Sequence, residues 1–396
     1  MVQLFKFVGW KFRCRAAGRA GQAALAVMLW AGGPATAQAQ PAAPPREGGP
    51  TLSGYMEMHL NKVQDQPTAV DLHRFVLMVG HSFSDRLKFW SEVEVEHALV
   101  AVEGGVETGE VAIEQAYIDL LVGRRFNLRA GMVLVPVGII NERHEPPTFN
   151  GVERTFVDTV IVPTTWRDTG VGAFGDLGAG FSYRAYVVPG LNAAEFSAEE
   201  GIAGGRQQGS RADASDPAVT GRLEYRRAGL TAGASVWRGG AGFGLIRLDI
   251  ETPTVAVSAV DARYRRGRHE LRGQWSMVNI GGAADLNRAL QAHNGVSPNI
   301  ASRLLGAYGE AATRVSPNAW AHEVVVFGRY EKFDTQNKMP AGFLPIEEFR
   351  RSAWVAGATY YPDPDVAFKF DVVRERNKSS VVRAPWQVNF GVGWWF

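Results

Sequence analysis

The chain has 396 residues with 45 glycines, 11% aromatic and 21% charged residues, which excludes a disordered chain and leaves room for two average domains or one large β-barrel. Its formal charge is +2, and without Lys6, Lys11, Arg13, Arg15 and Arg19 it becomes 2 − 5 = −3. A mature chain of that charge lacks the basic excess of a nucleic-acid binder.

Those five basic residues precede an apolar run at 23–33, and Ala35-Thr36-Ala37 and Ala37-Gln38-Ala39 follow it. A basic start, a short apolar core and small residues at the end predict a Sec signal peptide over 1–39, cleaved after Ala37 or Ala39. The run is shorter than the ~20 residues a spanning helix needs. Cys14, the one cysteine, leaves with the signal, so the mature chain forms no disulfide. Residues 40–50, QPAAPPREGGP, read as a Pro/Gly linker.

Beyond it the chain settles into short segments of period-two alternation, the pattern of strands half exposed to lipid. Sixteen are predicted: 52–62, 71–83, 86–99, 110–121, 125–135, 168–176, 179–189, 217–227, 229–238, 253–264, 268–279, 303–314, 319–333, 349–361, 365–376 and 386–396. In the last of them Trp386, Val388, Phe390, Val392, Trp394 and Phe396 share one face. Lipid is the natural partner of such a face, with aromatics near the interfaces. The terminal Phe on this pattern also resembles the C-terminal signature of bacterial outer-membrane proteins.

Connections after even-numbered strands are short and built of turn formers, such as DLG at 176–178 and PDPD at 362–365. Those after odd-numbered strands are longer, notably 136–167, 190–216, 280–302 and 334–348. This alternation predicts an all-β, antiparallel transmembrane barrel over 51–396 with short periplasmic turns and long outer loops. An open edge has no partner in lipid, so the sheet closes, and sixteen strands leave an aqueous channel. The stretch 136–168 has no strand or helix period and carries four prolines. So long an ordered loop tends to be functional, and it is expected to fold into the pore as the third loop. Its charges Glu142, Arg143, Arg154, Asp158, Arg167 and Asp168 are the constriction candidates. They either face the gap, where opposed charges orient polar solutes, or pin the loop to the wall.

Alternation assigns Lys88, Glu92, Glu94 and Glu96 to the lumen on strand 3, and Thr220, Arg222, Glu224 and Arg226 on strand 8. Glu270, Arg272, Gln274 and Ser276 on strand 11 and Lys369 and Asp371 on strand 15 also point in. Strand 12 has no clear phase, because Tyr308 and Glu310 share a parity. The predicted lumen is polar and of mixed sign. His59, His73 and Glu57 suit a metal by type, but no third ligand is fixed in position, and neither metal nor cofactor is expected. His81 and His97 lack a placed serine, and there is no G-x-S-x-G, H-E-x-x-H or P-loop. No catalysis is expected.

Residues 138–176, GIINERHEPPTFNGVERTFVDTVIVPTTWRDTGVGAFGD, together with GIAGGRQ at 201–207 and TGRLEY at 220–225, resemble the phosphate-selective porins of the O and P type. The matching positions are Gly138, Asn141, Pro146, Pro147, Pro163, Trp166, Gly170 and Gly172. The resemblance implies a sixteen-stranded, usually trimeric porin whose third loop narrows the pore. Selectivity for anions such as phosphate depends in that family on a ladder of lumen arginines and lysines, and the sequence places no such ladder. The expectation is therefore a Gram-negative outer-membrane porin passing small hydrophilic solutes or ions, with lipid around it. The alternative is a barrel with a structural or adhesive role through the loops at 190–216 and 280–302.

Overall fold

The computed structural model describes residues 49–396 other than 101, 104–105, 108 and 246–249. The expected signal peptide, and residues 40–48 of the expected linker, lie outside the described residues.

Sixteen antiparallel strands close into one barrel. In chain order they are β1 (Thr51–Val63), β2 (Thr68–Ser82), β3 (Leu87–Glu96), β4 (Glu110–Leu120), β5 (Asn127–Leu134), β6 (Arg167–Gly178), β7 (Phe181–Val188) and β8 (Ala218–Arg227). Then come β9 (Leu230–Gly240), β10 (Thr254–Arg266), β11 (His269–Gly281), β12 (Arg303–Arg314), β13 (Glu323–Lys338), β14 (Arg350–Asp363), β15 (Val366–Asn377) and β16 (Trp386–Trp395). Neighbours in sequence are neighbours in the sheet, and β1 pairs β16 to close it, with Leu60 opposite Phe390.

The outward face is the apolar one. Leu223, Leu271, Trp275, Phe368, Phe370 and Phe390 are exposed there, each flanked by inward residues that are buried or polar, as a period of two dictates. At the short-turn end Phe83, Phe126, Phe181, Tyr264, Trp320, Tyr360 and Phe396 are exposed and encircle the rim. Among the described residues no helix is long and apolar enough to cross a membrane.

Several boundaries differ from expectation; β3 ends at Glu96 rather than 99 and β13 runs on to Lys338 rather than 333. The connection after β1 is only residues 64–67, because both flanking strands run further than their apolar alternation does. Residues 319–322, expected in β13, belong to the preceding turn, where Trp320 N–H donates to Pro317 O at 3.2 Å. Strand 12 now has a phase: Tyr308 and Glu310 both point inward and are buried.

The lumen is not uniformly polar. At the long-loop end of β5 to β13 the inward residues are apolar, including Val133, Tyr186, Trp237, Val257, Ile280 and Phe333. Three connections fold down onto them: loop 3 (135–166), loop 4 (189–217) and loop 6 (282–302). Loop 4 contributes Leu191, Phe196 and Ile202, and loop 6 contributes Leu286, Leu290 and Ile300. Loop 6 contains a helix, α1 (Ala283–Asn294), between left-handed glycines Gly282 and Gly295. Leu286 and Leu290, four apart on one face, bury themselves, and Asn287 clamps Ile300 through both its N–H and C=O. The result is a hydrophobic plug over one side of the barrel, which places the remaining free space against β1 to β4.

Candidate functional site

Loop 3 satisfies part of its backbone internally, and wall side chains take up several of the remaining groups. Gly138 N–H donates to Ser235 Oγ at 3.1 Å and Ile139 N–H to Gln274 Oε1 at 2.7 Å. Val152 N–H donates to Asp371 Oδ2 at 2.6 Å and Val157 N–H to Glu331 Oε2 at 3.1 Å. Lys369 Nζ donates to Phe149 O and Gly151 O at 3.0 and 2.8 Å. At the base of the loop, Asn141 Nδ2 donates to Val135 O and Trp166 O, and its Oδ1 accepts from Trp166 N–H, at 2.7–2.8 Å. Asparagine fits because both ends of its amide are used.

Of the six charges singled out in the loop, four make anchoring contacts. Glu142 pairs with Arg184 at 2.8 Å and Arg143 with Glu224 at 3.0 Å. Asp158 is buried and accepts from Thr155 and Gln274. Burial raises its carboxyl to about 6 despite those bonds. Asp168, at the start of β6, accepts from the N–H groups of Thr169 and Gly209 and so ties loop 4 to the wall. Arg154 and Arg167 instead line a cavity of about 410 Å³ between loop 3 and the wall of β1 to β4.

That cavity is charged on opposite sides. Arg154, Arg167 and Arg206 line it from loop 3, the start of β6 and loop 4. Glu57, Glu94, Glu96 and Glu110 line it from the wall strands, with Glu153 on the loop beside them. Arg167 reaches Glu110 at 3.2 Å, while Arg154 donates to Thr165 Oγ1 and His144 O. Arg206 donates to Ala203 O and Thr165 O. Burial, and then neighbouring Arg167, pulls the Arg206 guanidinium down to about 10. On the wall, Arg74 is taken up by Glu57 and Glu94, at 2.5 and 3.1 Å.

Elsewhere in the lumen, positive and negative charges neutralise each other. Arg222 binds Asp261 at 2.6 Å, and Arg226 binds Glu224 at 2.9 Å. Arg272 binds Glu270 at 2.6 Å, and Arg329 binds Glu310 and Glu331 at 3.1 and 2.8 Å. Glu92, Glu94 and Glu96 point inward on β3, and Lys88 lies near the short-turn end, donating to Ser82 at 3.0 Å. A run of lumen arginines therefore exists, but each of these is tied to a carboxylate. Arg184, Arg263 and Arg329 were missed in the sequence because their strands were not phased for charge.

At the long-loop end of β1 to β3, His59 sits between Glu57 and Glu153, at 3.2 and 3.0 Å, and stacks on His73 at 4.5 Å. His73 and His97 both approach Asp71 Oδ2, at 3.0 and 2.8 Å. His97 turns back over Asp71 because it and Ala98 adopt left-handed backbone at φ 56° and 57°, a conformation uncommon outside glycine. A second cluster, Glu92, Glu114 and His144, is fully buried where loop 3 meets β3 and β4.

An uncharacterized protein of Aquifex aeolicus (strain VF5) is 36% identical over 343 residues, covering 83% of this chain and 76% of that protein. No family model matches. Among solved structures, the anion-selective porin from Comamonas acidovorans superposes with a TM-score of 0.57 at 12% identity, over 88% of this chain and 99% of that one. The outer membrane channel DcaP of Acinetobacter baumannii gives 0.56 at 13% identity, over 88% and 97%. OmpT of Vibrio cholerae, an outer membrane protein in a trimer form, gives 0.53 at 10%, over 88% and 99%. At these identities the likeness is one of fold, and the fold is that of a porin barrel.

Proposed function

The chain belongs to the family of the Aquifex aeolicus protein, and we propose that it is an outer-membrane porin, a passive channel rather than an enzyme. One observation carries the reading. A cavity between loop 3 and β1 to β4 is lined by guanidinium groups mostly from the loops and the start of β6 and by carboxylates mostly from the wall strands. Opposed charges across a narrow gap hold a transverse field that favours polar solutes and disfavours apolar ones. Arg154 and Arg167 act there with Arg206, while Glu142, Arg143 and Asp158 hold loop 3 in place and Asp168 holds loop 4. Four guanidinium groups face five carboxylates in the gap, Arg74 and Glu153 included, so selectivity is weak.

The apolar outer band and the aromatic rim support a lipid surround, with export through the signal at 1–39. A homotrimer is supported by the trimer form of the V. cholerae neighbour. Ala232, Ala262, Gly273 and Gly309, aligned across four strands of the outer face, are small enough for a second copy to approach. A second reading, an anion channel of the phosphate-selective kind, is favoured by Arg154 and Arg206, whose hydrogen bonds among the described residues go to neutral oxygens. The adhesive alternative loses support because loops 4 and 6 pack inward.

The test is single-channel conductance in a planar bilayer, with the reversal potential under a salt gradient. Small steps reversing near zero are expected. A strongly anion-selective reversal would favour the second reading, and folded protein without conductance would refute both.

A further inference from the structure

The structure assigns a buried divalent-cation site to Glu92 on β3, Glu114 on β4 and His144 on loop 3. Their ligand atoms lie within 4.8 Å of one another. His144 Nε2 is 3.0 Å from Glu114 Oε2 and 3.8 Å from Glu92 Oε1. All three residues are at most 2% exposed.

Glu114 reaches this position because of a bulge. The β3–β4 register runs from Glu92 opposite Gln115 to Val93 opposite Ile113. The extra residue turns Glu114 into the lumen beside Gln115, whose Nε2 donates to Glu92 Oε2. Bulges of this kind re-aim side chains next to functional sites.

Three observations point to a ligand. First, His144 Nδ1 lies 3.0 Å from Asn141 O. With Nδ1–H donating there, Nε2 is the nitrogen aimed at the carboxylates, where a metal ion would take the place of its proton, the orientation of a metal-bound histidine. Second, Glu92 Oε1 and Glu114 Oε1 are buried without a hydrogen-bond partner, and so is the hydroxyl of Tyr55, whose ring packs edge-on to His144 at 6.4 Å. Third, the two buried carboxylates share one imidazole, His144 on Glu114 at 3.0 Å, while Arg74 is engaged by Glu57 and Glu94. Burial penalises two such charges unless a proton or a metal ion joins them.

One imidazole nitrogen and two carboxylate oxygens suit a first-row ion of the zinc or manganese class better than calcium or magnesium. Metal–ligand bonds of roughly 2.0–2.2 Å are reached from the present positions by small side-chain adjustments. The ion would cross-link loop 3 to the two wall strands that border the gap. It would act as a structural staple, and the assignment stands apart from the permeation reading.

The test uses the purified full chain in detergent, treated with EDTA, desalted and titrated with Zn2+ alone. Barrel folding is checked on each variant by its gel mobility before and after heating. One equivalent of Zn2+ is expected, at least about tenfold weaker in E92Q, E114Q and H144A, and unchanged in H73A and H97A. Exchange protection of residues 135–166 should rise with Zn2+ in the wild type, H73A and H97A, and much less in E92Q, E114Q and H144A. Failure of the folded wild type to bind Zn2+ would overturn the assignment, leaving a simple Glu114–His144 ion pair. Retention of the equivalent in H144A and E114Q would also overturn it, as would its loss in H73A or H97A, which would move the ion to the long-loop mouth.

Discussion

Asn141→Ala is the sharpest probe of how loop 3 is held. Asn141 is 1% exposed and makes three hydrogen bonds that join the two ends of the loop. After truncation Val135 O still accepts from Val137 N–H, and Trp166 O from Val135 N–H. The Trp166 N–H, however, is left buried without an acceptor. Stranding one such group costs about 2 kcal/mol, or about 30-fold in the local opening equilibrium. The sixteen-strand ladder is untouched, so the barrel should resist heat as before while the loop loosens. Hydrogen exchange across 135–166 should speed up by up to that factor, and single-channel traces should show more frequent excursions. Asn141→Asp should be worse, because it points a carboxylate at two carbonyls. Unchanged exchange and unchanged traces in N141A would refute the view that this clamp fixes the loop.

Arg154→Gln and Arg206→Gln should shift the reversal potential toward cations, and Glu96→Gln and Glu110→Gln toward anions. Both shifts should shrink between 0.1 and 1 M salt, as the screening length falls from about 10 to about 3 Å. Trp237→Ala, which removes the partner of Trp166 at 5.3 Å in the plug, should cost about 3–5 kcal/mol in a thermal melt and enlarge the conductance. Asp158 holds its proton up to about 6 in the folded protein, against an ordinary value of 3.8. The folded state therefore binds the proton more tightly, and stability falls as pH rises from 3.8 through about 6. Melts at pH 4.5 and 7 should differ by less in D158N than in the wild type.

What could be read from the sequence was whatever repeats locally. Period-two alternation marked sixteen strands and assigned Glu92, Arg222, Arg272 and Lys369 a face, since a strand shows its faces without reference to its neighbours. The turn at PDPD and the proline-rich 136–168 were equally local signals. Partnership was not legible. Arg222 meets Asp261, and Arg272 meets Glu310, across register that only closure of the sheet fixes. The inward fold of loops 4 and 6 left a faint trace in Leu286 and Leu290 at helical spacing, but a long loop with two leucines does not reveal where it packs. The bulge at Glu114 left only a change of parity, the outward apolar residues passing from Val111 and Ile113 to Ile118 and Leu120 across the polar pair Glu114-Gln115.

The placement of the gap follows from these non-local features together. Apolar inward faces on β5 to β13 draw loops 3, 4 and 6 onto one side of the barrel, so the opposite side remains open. On that side the wall carries two register shifts, one between Glu57 and His59 on β1 and one between Glu92 and Val93 on β3. Each breaks the strict in–out alternation and adds polar groups to the inward face. The shift facing β1 brings His73 beside Arg74 at the cavity, and that in β4 adds Glu114 next to Gln115. A plugged side alone would leave a gap of ordinary wall. Here the wall adds Glu57, Glu94, Glu96 and Glu110, against which Arg154 and Arg206 are held by loops 3 and 4 and Arg167 by the start of β6. Permeation and loop anchoring are therefore coupled through the same packing. A substitution in the plug such as Trp237→Ala should alter selectivity as well as conductance, although Trp237 does not line the gap. A W237A channel with larger steps and unchanged reversal potential would break that link.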